Sequence, residues 1–355
     1  MTVAPLLNAL NIILGERRLK LLSWVSKDHL SFGDCWANLG ELLKDDGIEK
    51  VKASFNIDKE YARLIGLGIR LIVPGDEEYP SYLKEVSFAP LGLYLKGTVL
   101  PKDNALNLAI VGTRKLSCYG ETVIKKFMPI LVKNNLKIIS GLALGTDACA
   151  HQETLNNNGD TIAILGSGLN NIAPRTNISL ATKISAKGTL VSELPLDAQP
   201  LAYHFPLRNR IISGLSRAIL VVEAPLKSGS LITAKYALDQ NRDVLAIPGS
   251  IFSLGAEGTN DLISKGATLI SKVEDILESF NITSTSLNPN YLTVNLPPEE
   301  AIIISILKAN DSIHVDKIAT LAKLRPGSVL AATTLLELKG LIINQGNGCF
   351  SLNKM

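Results

Sequence analysis

The chain has 355 residues, is 46% hydrophobic and carries a formal net charge of only +3. This length suits two or three domains with a sizeable core, and the small charge excludes a protein that binds nucleic acid through a general basic field. Any nucleic-acid site is therefore expected in a local groove. The sequence contains no run of about 18 apolar residues, so no membrane span is predicted, and its start lacks the basic n-region of a signal peptide.

The four cysteines are scattered along the sequence and form no CxxC pair. This spacing argues against a zinc site and against a disulfide framework, and it fits a reducing cytoplasm. His, Cys, Asp and Glu residues do not recur at metal-ligand spacings, so we expect neither a metal nor a cofactor. The cysteines are Cys35, Cys118, Cys149 and Cys349.

The first part of the chain predicts a helical domain over residues 1–70, because apolar residues recur there at three- and four-residue spacings. Trp24 and Trp36 are expected to pack between these helices. Residues 70–97 predict a short strand, an acidic turn, a short helix and a second strand that leads into a sheet.

Residues 71–281 alternate short apolar strands with helical stretches, and the strands run into turns rich in Gly, Ser and Thr. About seven such strands predict an α/β fold, an extended Rossmann-like, doubly wound and mostly parallel sheet covered on both faces. Parallel strands leave their carboxyl ends at one edge, where glycine turns and helix N-termini offer N–H groups to an anion. The segments that contain these strand ends are 109–114, 138–151, 163–168, 220–234 and 245–250.

The end of the chain predicts a separate small domain. Residues 282–296 are rich in Ser, Thr, Asn and Pro and are interpreted as a linker. Residues 297–355 predict three helices followed by a β-hairpin that turns near Gly346–Gly348, the order of a winged-helix-like domain.

Gly112, Thr113 and Arg114 follow the first of these glycine-turn strands and predict a phosphate site, with Lys115 beside them. Glycine allows the backbone to approach a phosphate, and an arginine fork matches phosphate oxygens. The tripeptide fits neither GxGxxG nor GxxxxGK[ST], which disfavours a dinucleotide cofactor and P-loop ATP hydrolysis. A purely structural glycine turn is the alternative interpretation.

A second phosphate-binding turn is predicted at Ser228-Gly229-Ser230, which precedes a helix and has Lys227 at its mouth. Glu223, at the end of the preceding strand, is interpreted as orienting an arginine, with a ribose hydroxyl as its alternative partner.

Asp147 and His151 lie one helical turn apart after the strand that ends at Ser140. Asp147 is predicted to cap the helix N-terminus. An Asp/His pair is able to perform acid–base work, but the sequence shows no nucleophile beside them, and a structural hydrogen bond is the favoured interpretation.

The segment from Phe205 to Arg210 combines an aromatic ring, two guanidinium groups (Arg208 and Arg210) and the amide of Asn209. Single-stranded nucleic acids are bound by this mixture, because bases stack on aromatic rings and arginines contact phosphates. The alternative is that Phe205 belongs to the core and that one arginine pairs with a carboxylate such as Glu223.

Nine motifs in register make the chain resemble the DNA-processing protein A (DprA/Smf) family over about residues 106–272. The helical head and the tail resemble, less specifically, that family's sterile-alpha-motif-like and winged-helix-like domains. The motifs are GTR (112–114), SGLALGTDACAH (140–151), GSGL (166–169), SELP (192–195), FPLRNRIISGLS (205–216), VVEA (221–224), SGSLITA (228–234), NRDVLAIPGS (241–250) and GTNDLISKGA (258–267).

The resemblance implies a homodimeric, non-catalytic protein that binds single-stranded DNA, protects it and helps to load the RecA recombinase during natural transformation. It implies that Thr113 and Arg114 contact the DNA backbone and that Phe205 lies against a base. Arg208 and Arg210 would line or brace the groove. By the same resemblance, dimer contacts are expected in residues 258–270, with Leu262, Ile263 and Leu269 as candidates. A core helix and strand is the alternative interpretation of this segment.

Two segments depart from the family pattern, at three positions. Ala202 stands where many members have a DNA-binding lysine, and GLNNIAPRTN has Asn170 and Ala173 where Asp and Tyr are frequent. In that segment Arg175 remains a candidate contact. In the tail, the helix GSVLAATTLLELKG presents mainly Thr333, Thr334 and Lys339, so we expect it to be a poor reader of duplex DNA.

Two other functions are considered. The first is a nucleotide-hydrolysing enzyme on the same sheet, with Glu223, Asp147 and His151 as acid–base groups. The second is a transcription regulator that reads duplex DNA through its tail.

Overall fold

The computed structural model divides the chain into two compact units, Met1–Thr283 and Ser284–Met355. The boundary falls inside the predicted linker 282–296, of which all but residue 282 lies outside the described residues. The structure describes residues 3–45, 47–99, 106–282, 297–310, 312–339, 341–346 and 348–352.

The first unit begins with short helices, as the apolar spacing predicts. The side chain of Ser31 accepts from the Asp34 N–H while Asp34 accepts from the Ser31 N–H, a capping box that starts the third helix. Trp24 is buried in the core of this region and Trp36 packs against it, which confirms their predicted role. The helices are α1 Val3–Leu14, α2 Leu19–Ser26, α3 Phe32–Ala37, α4 Leu39–Leu43, α5 Gly47–Ser54 and α6 Ile57–Gly66.

Strands and helices then alternate as predicted. The elements are β1 Arg70–Ile72, α7 Ser81–Lys84, β2 Leu93–Gly97, β3 Asn107–Val111, α8 Cys118–Lys133, β4 Lys137–Ser140, α9 Thr146–Asn156, β5 Thr161–Leu165, α10 Ile178–Lys187, β6 Thr189–Ser192, α11 His204–Gly214, β7 Ala218–Val221, α12 Gly229–Asp239, β8 Asp243–Ala246, α13 Glu257–Ser264, β9 Thr268–Leu269 and α14 Val273–Ser279.

Within the described residues these strands form one sheet of nine, in the order β1-β2-β6-β5-β4-β3-β7-β8-β9. The seven strands from β3 to β9 are parallel, whereas β1 and β2 are antiparallel at one edge. The chain winds outward in one direction from β3 and in the other from β7. Strand order therefore reverses between β3 and β7, where doubly wound sheets bind their ligands.

Both faces of the sheet are covered by helices, which confirms the doubly wound fold. One face packs against α11 and α12 through residues such as Ile211 and Ala234. The other packs against α8 and α14 through residues such as Met128 and Ile276. The N-terminal helices share a core with α10 and with Tyr94 of β2. Strands buried on both faces explain the nearly continuous apolar runs in the sequence.

The second unit has its own apolar core. In its described part, three helices precede a hairpin, the order that the sequence predicts. A further short strand, β10, completes an antiparallel sheet in the order β10-β12-β11. The elements are α15 Pro298–Lys308, β10 Ile313–His314, α16 Val315–Ala322, α17 Pro326–Leu338, β11 Ile342–Gly346 and β12 Cys349–Leu352.

The helix α17 presents few polar side chains. Thr334 and Lys339 are exposed, but Thr333, expected on the presented face, is buried and donates to the carbonyl oxygen of Val329 at 2.9 Å. The exposed positions of α17 include Leu330 and Leu335. They form an apolar surface, unlike that of a helix that reads base edges.

Across the described ranges, every helix is too short or too polar to cross a membrane.

Candidate nucleic-acid interface

A groove of about 710 Å³ opens at the carboxyl ends of the parallel strands. Its walls come from the turn after β3, the turn after β4, the first turns of α11 and the start of α12. Ten of the predicted site residues line this groove, namely Gly112, Thr113, Arg114, Phe205, Arg208, Asn209, Lys227, Ser228, Gly229 and Ser230.

The Gly112–Arg114 turn is held from two sides. The Thr113 N–H donates to the carbonyl oxygen of Glu223 at 2.7 Å. The carbonyl oxygen of Thr113 accepts from the N–H and the hydroxyl of Thr146, each at 3.1 Å. Gly112 is required for this packing, because a Cβ there would lie 2.5 Å from the Thr146 hydroxyl. A rigid turn thus carries the exposed side chain of Arg114.

One face of α11 forms a wall of the groove. Phe205, Arg208, Asn209 and Ile212 line it, which is the i, i+3, i+4, i+7 spacing of one helix face. Pro206 lies in the first turn of the helix, where a missing N–H costs nothing. Phe205 is half-buried, and its ring packs against the backbone of Gly166. The contact is so close that a Cβ on that glycine would lie 2.8 Å from the ring. Phe205 also lines the groove, so the exposed part of its ring borders it.

Arg208 is buried at the floor of the groove. Its Nη1 donates to the carbonyl oxygen of Gly141 at 2.7 Å and also to that of Ile164. Burial lowers the pKa of Arg208 to about 10, with nearby Asp147 acting in the opposite direction. The guanidinium is therefore charged at neutral pH, and it braces the floor more than it reaches outward.

Arg210 does not belong to the groove, which corrects the prediction. It is 1% exposed, and its Nη2 donates to Glu193 at 2.6 Å while its Nε donates to the carbonyl oxygen of Phe88 at 3.0 Å. Helical periodicity explains this placement. A residue five positions after Phe205 points well away from the groove-lining face.

The remaining predicted cations differ in position. Lys227 is exposed and lines the groove, at the turn that leads into α12. Lys115 and Arg175 are exposed as well, but neither is among the described residues that line the groove. Arg175 directly follows two lining residues, Ala173 and Pro174.

The N-terminus of α12 faces the groove, as predicted, although the helix begins one residue before Ser230. Ser228 is the N-cap, and its hydroxyl accepts from the Ser230 N–H at 3.3 Å. The carbonyl oxygen of Gly229 accepts from the side-chain amide of Asn209 at 3.3 Å, which joins the starts of α11 and α12. A helix N-terminus at this place favours an anion.

Asp147, His151 and Glu223 do not form one acid–base group. Asp147 lies inside α9, after the Gly145 cap, and accepts from the N–H groups of Gly141 and Ala143; its predicted capping role is therefore wrong. His151 is buried with its Nδ1 2.6 Å from the Thr161 hydroxyl.

Glu223 also differs from its predicted role. It accepts from the N–H and the hydroxyl of Ser117, at 2.9 and 2.5 Å, and no arginine among the described residues donates to it. The carboxylate that pairs with an arginine of α11 is Glu193.

Sequence reasoning missed the apolar part of the groove. Leu144 and Ile232, both partly exposed, line it together with Pro200. Ala202, one of the departures from the family pattern, lines it as well. The signal of the first three in the sequence was weak, because a lone apolar residue after a glycine turn looks like any core position. An exposed apolar lining beside cations suits bases and phosphates together.

The predicted dimer residues lie near the β9 edge of the sheet. Leu269 is 46% exposed on this edge strand. Leu262 and Ile263, on α13, are partly buried, and Leu262 packs against the core beside α12.

Comparison with known proteins agrees with this architecture. The model of the family described as DNA recombination-mediator protein A matches residues 70–281. The chain is 48% identical to Protein Smf of Escherichia coli over 210 residues, which are 59% of this chain and 56% of that protein. It is 40% identical to DNA processing protein DprA of Bacillus subtilis, over 59% of this chain and 71% of the relative. The chain thus spans just over half the length of the Escherichia coli protein.

Two solved structures resemble the fold. The X-ray structure of DNA processing protein A from Streptococcus pneumoniae superposes with a TM-score of 0.62 and 32% identity, over 78% of this chain and 98% of that one. DNA processing protein A from Helicobacter pylori, described for its single-stranded DNA binding mode, gives a TM-score of 0.55 and 28% identity, over 60% of this chain and 95% of that one. The sheet, the groove at its carboxyl edge and the match over residues 70–281 together place this chain in the DNA recombination-mediator protein A family.

Proposed function

We propose that this protein binds single-stranded DNA in the groove at the carboxyl edge of its sheet and acts as a recombination mediator. The observation that carries the proposal is the lining of the groove. Exposed cations at Arg114 and Lys227 border a half-buried ring at Phe205, next to the N-terminus of α12. This combination suits a strand whose phosphates meet cations while its bases stack on aromatic and apolar walls.

The relatives support the same function. The Helicobacter pylori protein is described by its binding of single-stranded DNA, and the matched family by recombination mediation. In this proposal the protein protects incoming DNA and helps to load RecA during natural transformation, works in the cytoplasm and pairs as a homodimer through Leu269 and its neighbours. It performs no chemical step, consistent with the separate hydrogen-bond partners of Asp147, His151 and Glu223.

The test is fluorescence anisotropy of a labelled dT oligonucleotide over a salt series. We expect tight binding that weakens as salt rises, and little binding of duplex DNA. Arg114→Ala should cost roughly 1–3 kcal/mol and reduce the salt slope by about 1, because one phosphate contact is lost. Arg70→Ala is the control, since Arg70 is an exposed arginine on the β1 edge that pairs with Glu78. Equal affinities for wild type and Arg114→Ala would place the DNA elsewhere.

A further inference from the structure

A second recess, of about 360 Å³, lies at the carboxyl ends of β7 and β8. Apolar walls come from Val222, Ile247 and Pro248. The side chain of Glu223 lies in this recess, and its backbone carbonyl oxygen holds Thr113 of the groove turn. Arg114 of the groove and Ser117 of the recess are three residues apart, so roughly 10 Å of chain separates the two sites.

The recess contains a buried carboxylate with acceptor capacity to spare. Glu223 is 6% exposed. Within the described residues its side-chain hydrogen bonds come from Ser117, through the N–H and the hydroxyl. A carboxylate offers about four acceptor positions, so positions remain for a ligand that donates. A ligand for this recess therefore needs N–H groups and an apolar body.

An aromatic ring borders the same recess. Tyr119 is 50% exposed, and its hydroxyl donates to the carbonyl oxygen of Pro248 at 2.8 Å, which fixes the ring between α8 and the turn after β8. Burial and the nearby Glu223 carboxylate raise the pKa of Tyr119, which further favours the protonated hydroxyl that donates this hydrogen bond. A planar ligand can stack on such a fixed ring.

We infer that this recess binds a guanine base of the same single strand that occupies the groove, with Glu223 accepting from the base and Tyr119 stacking on it; this rests on the proposed function. Guanine places two neighbouring N–H donors on its Watson–Crick edge and matches both carboxylate oxygens. Thymine presents carbonyl acceptors on either side of its single donor and is repelled. Cytosine and adenine have one amino group each, so their affinity for the recess should lie between those of guanine and thymine.

The test compares a dT oligonucleotide with one that carries a single central dG, by anisotropy at fixed salt. We expect wild type to bind the dG oligonucleotide roughly tenfold more tightly. In Glu223→Gln the ratio of the two affinities, dG oligonucleotide over dT oligonucleotide, should be close to one, since the amide replaces one acceptor with a donor. The control is Glu121→Gln, an exposed carboxylate that pairs with Lys125 on α8, the helix that carries Tyr119, and it should keep the wild-type ratio.

Tyr119→Ala keeps the inference testable if Glu223→Gln fails to fold, because Tyr119 is half-exposed and its loss should also lower the ratio. A ratio near one in wild type, or a ratio that survives both substitutions, overturns the inference. If wild type binds dT with the expected salt dependence but shows no gain from dG, only this inference fails. If wild type binds neither oligonucleotide, the proposed function fails first.

Free dGMP distinguishes a strand site from a mononucleotide site. We expect no change in Tm with dGMP in the absence of DNA, because one base alone lacks the phosphate contacts of the groove. A rise in Tm with dGMP, together with equal affinity for the two oligonucleotides, would assign the recess to a free nucleotide and overturn the assignment to the strand.

Discussion

The guanidinium of Arg208 lies against the backbone of Gly141, so close that a Cβ on the glycine would be 2.5 Å from Nη2 of the arginine. The same guanidinium donates to the carbonyl oxygen of Gly141 at 2.7 Å. The turn after β4 and the wall formed by α11 therefore meet at one contact. This contact sets the floor of the groove.

We expect Gly141→Ala to displace Arg208 and to disturb both stability and DNA binding. Packing a methyl group into this buried contact should destabilise the fold by about 1–3 kcal/mol. Urea unfolding measures this cost, and anisotropy with dT measures the weaker binding. Gly66→Ala is the control, because a Cβ at Gly66 meets nothing within 4 Å. Wild-type stability in Gly141→Ala would show that Arg208 moves freely.

Ala202→Lys is expected to strengthen DNA binding. Ala202 is exposed and lines the groove, so a lysine there adds a cation at low structural cost. One added phosphate contact should steepen the salt slope by about 1 and tighten binding most at low salt. The control is Ala53→Lys, at an exposed position on α5. If both variants bind alike, the added charge acts only through the overall field of the protein.

Arg210→Met is expected to destabilise the fold strongly. In the folded protein Nη2 of Arg210 lies 2.6 Å from the buried Glu193 carboxylate. The substitution leaves that carboxylate with Arg18, whose Nη1 lies 3.5 Å away. Removing one member of a buried ion pair costs about 3–5 kcal/mol. The arginine and carboxylate should also couple in a double-mutant cycle with Glu193→Gln, by at least about 1 kcal/mol in unfolding free energy. Additive effects would mean that the pair contributes only through packing.

Stability should fall as the pH drops below about 6.5, because burial lowers the pKa of His151 to about 3. Below about pH 6.5 the histidine takes up a proton in the unfolded state but stays neutral in the folded state. The free energy of unfolding therefore decreases as the pH falls from the unfolded-state pKa to the folded-state pKa. Between pH 7 and pH 5 this residue should account for about 2 kcal/mol of the fall in unfolding free energy.

His151→Asn removes this titration and should show a correspondingly shallower decline in urea unfolding. Asparagine can still reach the Thr161 hydroxyl that lies 2.6 Å from Nδ1 of His151. The control is His29→Asn, at an exposed position with a φ of 54° that asparagine tolerates. A decline as steep as that of wild type would assign the pH dependence to other groups.

The alternation of strands and helices was readable from the sequence because its signals are local. Apolar runs flanked by glycine turns predicted the parallel strands, and chain direction alone placed their carboxyl ends at one edge. Gly112, Thr113 and Arg114 follow one such strand directly, so their place at that edge required no knowledge of distant contacts. The turn at Ser228–Ser230 was readable for the same reason.

Tertiary structure decided which charged residues face solvent. Arg208 and Arg210 are two positions apart in one helix, and a sequence shows both as available cations. Their roles separated only when α11 packed, because its groove face carries Phe205 and Arg208 while Arg210 turns toward Glu193. Glu193 and Glu223 follow different strands, and only the order of strands in the sheet decided which of them meets an arginine. Local pattern determines the elements and their ends, whereas pairing of buried charges depends on contacts between segments far apart in the chain.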